Sequence, residues 1–277
     1  MVQVRTKTDG FGDLMRRWRS TRKFSQLDLA LTAGVSQRHV SFLESGRAAP
    51  SREMVQQLGE ALDVPLRERN HLLLAAGFAP VFQERSLDHP DMAAVLDALR
   101  ITLKHHEPNP AIVVDRNWNL LMANAAFERA FAVLGDLEAM WPRVCPDGKR
   151  NVLKLTFHPD GVREHIVNWR EMALLMLLRT RREAESRANS VLAALVDEIL
   201  DYPGIPRRWR LQDWHQAPPP ILPLEFAVGD VCLRLFSMIA TFDTAQDVTA
   251  DELRIESFFP ADDDSAAMLR SLALTGG

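Results

Sequence analysis

The residues with the clearest chemistry lie between positions 25 and 47, in the stretch SQLDLALTAGVSQRHVSFLESGR. Positions 37/41 and 38/42 are i,i+4 pairs, so on a helix Gln37, Arg38, Ser41 and Phe42 form one continuous outward strip. Such a strip can read base edges in a DNA major groove. Glutamine pairs bidentately with adenine, arginine pairs with guanine, and a phenylalanine ring can touch the thymine methyl. Each good bidentate contact discriminates by roughly 1–3 kcal/mol. Gln26, at the start of the preceding helix, is placed for a phosphate, as are the N–H groups of that helix terminus. Arg16, Arg17, Arg19, Arg22, Lys23 and Arg47 add positive charge near a nucleic-acid backbone. Contacts of that kind release counterions and make binding salt-dependent.

The rest of the chain offers little catalytic or metal chemistry. Cys145 and Cys232 sit in no CxxC or Cys/His cluster, so zinc and disulfide frameworks lack support and reduced thiols are expected. The adjacent His105 and His106 cannot share one helical face, and His158 and His165 have no second ligand pair at metal spacing. A heme needs only one axial histidine, which any of these four could supply. No GxSxG, Gly-rich phosphate loop or HExxH occurs. The expectation is no enzyme, no metal and no cofactor.

The elements that must position the strip are short helices. Ser25, Ser36 and Ser51 are N-cap candidates, and Gly34, Gly46 and Gly77 close helices. Five helices follow over about 11–22, 26–33, 37–45, 52–62 and 65–77, with Pro65 at the first position of the last. The turn Ala33-Gly34-Val35 joins two of them as a helix-turn-helix, with Leu29, Ala30, Val40 and Leu43 facing inward.

At 277 residues the chain is long enough for about two domains. Its 47% hydrophobic and 25% charged composition allows a sizeable core. The net charge of −4 is unevenly spread: residues 1–52 hold ten Lys and Arg against four Asp and Glu, a net +6, and the remainder carries −10. A basic start on an acidic body fits a segregated polyanion-binding surface. No apolar run reaches membrane-span length and the first twenty residues lack a signal-type apolar stretch, so a cytoplasmic protein with no membrane partner is expected.

Residues 77–90, with Gly77, Pro80 and Pro90, read as an interdomain connection. The expected division is a helix-turn-helix domain over 1–80, a linker over 81–90 and a second domain over 91–277. In that second domain a helix spans 91–106, and strands at 111–115 and 118–122 form a hairpin around Arg116-Asn117. Asn124 caps a helix through Phe131. A long helix is expected from 161 to 186, resuming after a break to 201. Residues 203–223, with six prolines, read as loop or extended chain, and strands are expected at 224–228, 231–242 and 252–259. Helices mixed with an antiparallel sheet make this half α+β.

The motif Ser25-Gln26, Leu29-Ala30, Ala33-Gly34-Val35-Ser36, Val40, Leu43-Glu44, Gly46-Arg47 and Pro50-Ser51 resembles the XRE, or phage-repressor, family of helix-turn-helix regulators over about residues 11–76. That resemblance implies an all-α five-helix domain, base contacts from Ser36, Gln37, Arg38 and Phe42, and backbone contacts from Gln26. Phe42 departs from the family pattern, where the position is often polar. Three further stretches, PAIVVDRNWNLLMANAAF (110–127), NVLKLTFHPDGVREHIVNW (151–169) and TFDTAQDVTADELRIESFFPAD (241–262), resemble the ligand-binding domain of MmyB-like regulators, which is similar to a PAS fold. This implies a curved antiparallel sheet flanked by helices over an apolar cavity, suited to lipid-like or fatty acyl ligands. Candidate lining residues are Phe127, Phe131, Trp169, Met172, Leu175, Met176, Phe236, Met238 and Phe242, although methionines and aromatics at helical spacing are usually plain core. His158, Arg163, His165 and Arg170 are candidate anchors for a carboxylate, Arg163 foremost. The function expected is a homodimeric transcription regulator that binds a double-stranded DNA operator and senses a small apolar ligand. The competing reading makes the second domain a protein-interaction module, and a DNA-binding enzyme comes third.

Overall fold

Serine side chains start the N-terminal helices and glycines stop them. Helix α1 (Phe11–Thr21) is followed by α2 (Gln26–Thr32), whose N-cap Ser25 and third residue Asp28 form a reciprocal capping box. Ser36 caps α3 (Gln37–Glu44) and Ser51 caps α4 (Arg52–Ala61), each hydroxyl accepting from the backbone three residues on. The fifth helix, α5 (Leu66–Ala75), starts one residue after Pro65, which occupies the N-cap and not the first helical position. Gly34 and Gly46 adopt φ of +64° and +71°, a left-handed geometry that other residues enter at a cost. Phe11, Met15, Trp18, Leu29, Val40, Leu43, Val55 and Leu72 form the buried centre of this helical unit.

The computed structural model describes residues 10–206, 208–209, 221, 223–229 and 231–275. The chain separates into two compact units. One is built on residues up to Glu84 with Glu185–Ala188 and Ala245–Asp251; the other holds Arg85–Ala184, Asn189–Thr244 and Glu252 onward. Residues 81–84 are tied to the first unit. Asn70 accepts from the backbone of Val81 and Phe82 and donates to the Phe82 carbonyl, and Arg67 grips Glu84 at 2.8 Å.

After α6 (Ala93–His105) come β1 (Ala111–Val114) and β2 (Leu120–Ala123). Asp115 accepts from the backbone of Asn117 and Asn119 and so closes the turn between them. Trp118 takes a φ of +65°, and the ladder shifts between Val113 and Val114, so the second strand starts two residues later than the sequence suggests. Then follow α7 (Ala125–Ala132), α8 (Leu137–Val144), α9 (Val152–Phe157), α10 (Trp169–Ser186) and α11 (Ser190–Leu200). The helix expected from residue 161 begins only at Trp169. Ile166 bridges to Phe226 and the Val167 N–H donates to the Glu225 carbonyl, so the chain there is extended. The expected loop over 203–223 falls largely on residues 207, 210–220 and 222, outside the described residues.

The chain ends with β3 (Pro223–Val228), β4 (Val231–Ala240), α12 (Val248–Glu252), β5 (Arg254–Pro260) and α13 (Asp263–Thr275). The five strands form one antiparallel sheet in the order β2-β1-β5-β4-β3. Alternation splits its residues between two faces. Ile112, Val114, Leu233, Leu235, Leu224, Phe226 and Phe258 enter the main core with α7, α9, α10, α11 and α13. Ala111, Val113 and Ile255 turn the other way onto Leu99 and Leu103 of α6. Among the described residues no helix is long and apolar enough to cross a membrane.

Candidate nucleic-acid interface and ligand cavity

Helix α3 presents the expected strip. Ser36, Gln37 and Arg38 are exposed, while Ser41 and Phe42 are half-buried. Val40 and Leu43 on the opposite face are buried and fix how far the helix stands out. Ser36 is partly committed, since its hydroxyl accepts from the His39 backbone at 3.2 Å. The Phe42 ring lies under two guanidinium groups, Arg38 at 5.1 Å and Arg47 at 5.9 Å from its centroid. Here the ring is a platform for cations, a use its residue type alone does not announce.

Behind the strip sits Glu44, buried at 4% exposure. It accepts from Arg19 at 2.6 and 3.0 Å and from the Gln26 side chain at 2.9 Å, while Arg16 donates to its carbonyl at 2.7 Å. Burial alone would raise the Glu44 carboxyl. The hydrogen bonds from Arg19 and Gln26, with the charges of Arg19 and Arg16, outweigh it and hold the group below the usual carboxylate range. Gln26 is therefore joined to Glu44 as well as placed at the helix start. Arg22 donates to the carbonyls of Leu62, at 2.8 Å, and Asp63. Three of the six cations expected near a nucleic-acid backbone thus also hold the helical unit together.

The second unit contains a mostly apolar cavity between the sheet and its covering helices, with a free volume of about 30 Å³. Of the expected lining residues, Phe127, Phe131 and Met176 reach it. Phe127 and Phe131 stack on each other, with ring centroids 4.3 Å apart. Met172 is fully buried in the surrounding core, and Trp169 packs edge-on against Phe157 at 5.3 Å. Leu175 is half-buried and does not line the cavity.

Phe236, Met238 and Phe242 are not at the cavity. Strand alternation on β4 turns Leu233 and Leu235 inward, so Phe236 and Met238 point from the opposite face. Phe236 stacks on Phe259, Met238 is 60% exposed, and Phe242 packs with the α6 cluster. Arg163 is also elsewhere: it donates to the Pro203 carbonyl at 2.6 Å and lies over Trp169 at 4.8 Å.

The walls the sequence reading missed are Trp118, Leu224, Phe226, Phe258 and residues of α9, with Thr156 and Glu256 as the polar members. The signal for Glu256 is an acidic residue in phase with Phe258 on a strand whose inward face is buried. Burial raises the Glu256 carboxyl and the Glu183 charge adds to this; Arg179 and a hydrogen bond with Ser237 oppose without reversing it. Beside it lies a charged cluster. Arg254 pairs with Glu183, Arg116 pairs with Glu252 at 2.7 Å, and the Trp118 indole donates to Glu183 at 3.4 Å. A larger cleft of about 250 Å³ beside Trp141 and Cys145 is rimmed by the Arg150–Glu138 ion pair. Among the described residues no group of three or more His, Cys, Asp or Glu could hold a metal ion.

Comparison with known families decides what this pairing of units is. Residues 95–272 match the MmyB-like transcription regulator ligand binding domain, well over half of the chain. The chain belongs to the MmyB-like transcription regulators. Residues 15–69 match a helix-turn-helix family, which covers α2, α3 and the Glu44 network. This MmyB-like regulator is therefore a DNA-binding transcription regulator with a ligand-binding domain. Both families are those of regulators and not of enzymes. No curated protein matches the chain.

Proposed function

We propose that this regulator reads a specific DNA operator through α3 and responds to a small apolar ligand held in the cavity of its α+β domain. The observation that carries the first half is the exposed strip Ser36-Gln37-Arg38, continued by Ser41 and Phe42 and flanked by Arg47. Gln37 and Arg38 supply base contacts, and Gln26 and Arg47 supply backbone contacts. One recognition helix reads few bases, so the working form is a homodimer on two half-sites about 34–36 Å apart. The division of labour puts DNA binding in residues 1–80, a connection over 81–90 whose first four residues pack onto the helical unit, and ligand binding with dimerisation in 91–277. Operation on chromosomal DNA places the protein in the cytoplasm.

For the second half, the aromatic and aliphatic walls around Phe127, Phe131 and Met176 suit an acyl chain. A PAS-like description fits a five-stranded antiparallel sheet with helices and a cavity on one face. The free volume holds one or two waters, so a ligand enters by displacing side chains. For the ligand to control transcription it must bind DNA-competent and incompetent forms with different affinity.

The test is selection from random duplex DNA, followed by titration of the selected site with and without apolar ligands. A defined palindromic site, weakened and made less selective by Gln37→Ala and Arg38→Ala, supports the reading. Equal affinity for all sequences overturns it. The competing reading, a protein-interaction domain, draws on the outer sheet face, where Met238 is 60% exposed beside Phe236 and Phe259. It gains if a partner protein, and no apolar compound, changes DNA affinity.

A further inference from the structure

The polar atoms facing the cavity are few and suit one kind of head group. Glu256 lies on β5 at 4% exposure, with Ile112 and Ile239 as its cross-strand partners. Phe258, Phe226, Trp118 and Met176 form apolar walls around it. The other polar member, Thr156, already donates its hydroxyl hydrogen to the Val152 carbonyl at 2.8 Å, so it offers lone pairs. Among the described lining residues there is no lysine, arginine or histidine. Nearby cations are engaged in the adjoining cluster: Arg254 on β5 pairs with Glu183, and Arg179 on α10 lies over Trp118 at 5.0 Å. The charged groups around Glu256 are thus Arg254 on its own strand and Arg179 and Glu183 on the helix across it. Burial in this wall favours the neutral form of the Glu256 carboxyl over the opposing Arg179 charge and Ser237 hydrogen bond, and a neutral carboxyl donates a hydrogen bond.

We propose that Glu256 selects the head group of the cavity's ligand: it donates a hydrogen bond to an uncharged acceptor, such as an amide, ester, ketone or alcohol, and turns away a free carboxylate. This rests on the cavity being the ligand site. A carboxylate placed there would lie against another carboxyl with no cation in the wall, and an unpaired buried charge is costly. An amide or ester of the same chain carries an acceptor without the charge. Arg163, the residue the sequence suggested for holding a carboxylate, is occupied by the Pro203 carbonyl and lies outside the lining. Met176, an unbranched side chain in the wall, is suited to making room for the chain.

The experiment is calorimetric titration of the full-length protein at neutral pH with octanamide, octanoate and octylamine, in the native chain and in Glu256→Gln and Glu256→Leu. The expected result is octanamide binding at least about tenfold tighter than octanoate. Glu256→Gln keeps an N–H donor at the same place and should hold octanamide within about threefold, while Glu256→Leu loses about tenfold. Thermal melting of both variants checks that they fold. Octanoate bound as tightly as octanamide overturns head-group selection and leaves the ligand site standing. Octylamine bound tightest, and lost in Glu256→Gln, overturns it too, because Glu256 then acts as a charged counter-ion. If none of the three binds the native protein, the ligand-site reading fails and this inference with it.

Discussion

Glu44 shows how one buried carboxylate can serve a DNA-reading surface without touching DNA. It draws Arg19, Arg16 and Gln26 onto the end of α3 and so sets the helix against α1 and α2. Removing it leaves the Arg19 charge, 15% exposed, with the Phe24 carbonyl but no carboxylate, so Glu44→Ala should cost about 3 kcal/mol in urea unfolding. Its carboxyl is depressed in the folded chain and ordinary in the unfolded one. The stabilisation is therefore fully present above the ordinary glutamate pKa and is lost as pH falls through the lower folded value. Glu44→Gln should flatten that acid-side loss. On the reading face, Phe42→Ala releases Arg38 and Arg47 and should weaken operator binding by about 1 kcal/mol. Phe42→Leu keeps packing without the π face, so anisotropy titrations of both separate the two effects.

At the scale of elements, caps and strand phase carry the argument. Asn124 is 6% exposed and does more than start α7. Its carbonyl oxygen accepts from Phe127 and Ala111, and its amide donates to Asn109 at 2.8 Å, tying the helix to the first strand. Asn124→Ala loses the cap and leaves the Ala111 N–H buried, so chemical denaturation should show a loss of about 2–3 kcal/mol. Strand phase explains both hits and misses in the cavity. Leu233 and Leu235 were legible as one face of β4, and the same alternation puts Phe236 and Met238 on the other. Residue type suggested them as lining, but phase decided against it. The start of α10 was not legible, because what ends the helical pattern before Trp169 is a bridge from Ile166 to Phe226, sixty residues away.

For the whole molecule, charge separation has a measurable consequence. With +6 on residues 1–52 and −10 beyond, the basic N-terminal segment supplies the attraction to DNA. Affinity for the operator should fall steeply and linearly on logarithmic axes as salt rises, and Arg47→Ala should reduce that slope by about one. Ligand binding to the α+β domain should stabilise it by mass action, by about 2.7 kcal/mol at a hundredfold excess over Kd, and so raise its melting temperature. The sequence by itself determined the helix-turn-helix, because its caps, glycine stops and four-residue spacings act over a single turn of chain. It also determined that a sheet follows, from strands with a period of two. Only the tertiary structure decided the cavity. Its walls come from Trp118, α7, α9, α10, β3 and β5, brought together when β1 pairs with β5 across some 140 positions of chain. Burial and polar neighbours, which set the charge of Glu44 and Glu256, exist only after that pairing, so no local pattern of residues could announce them.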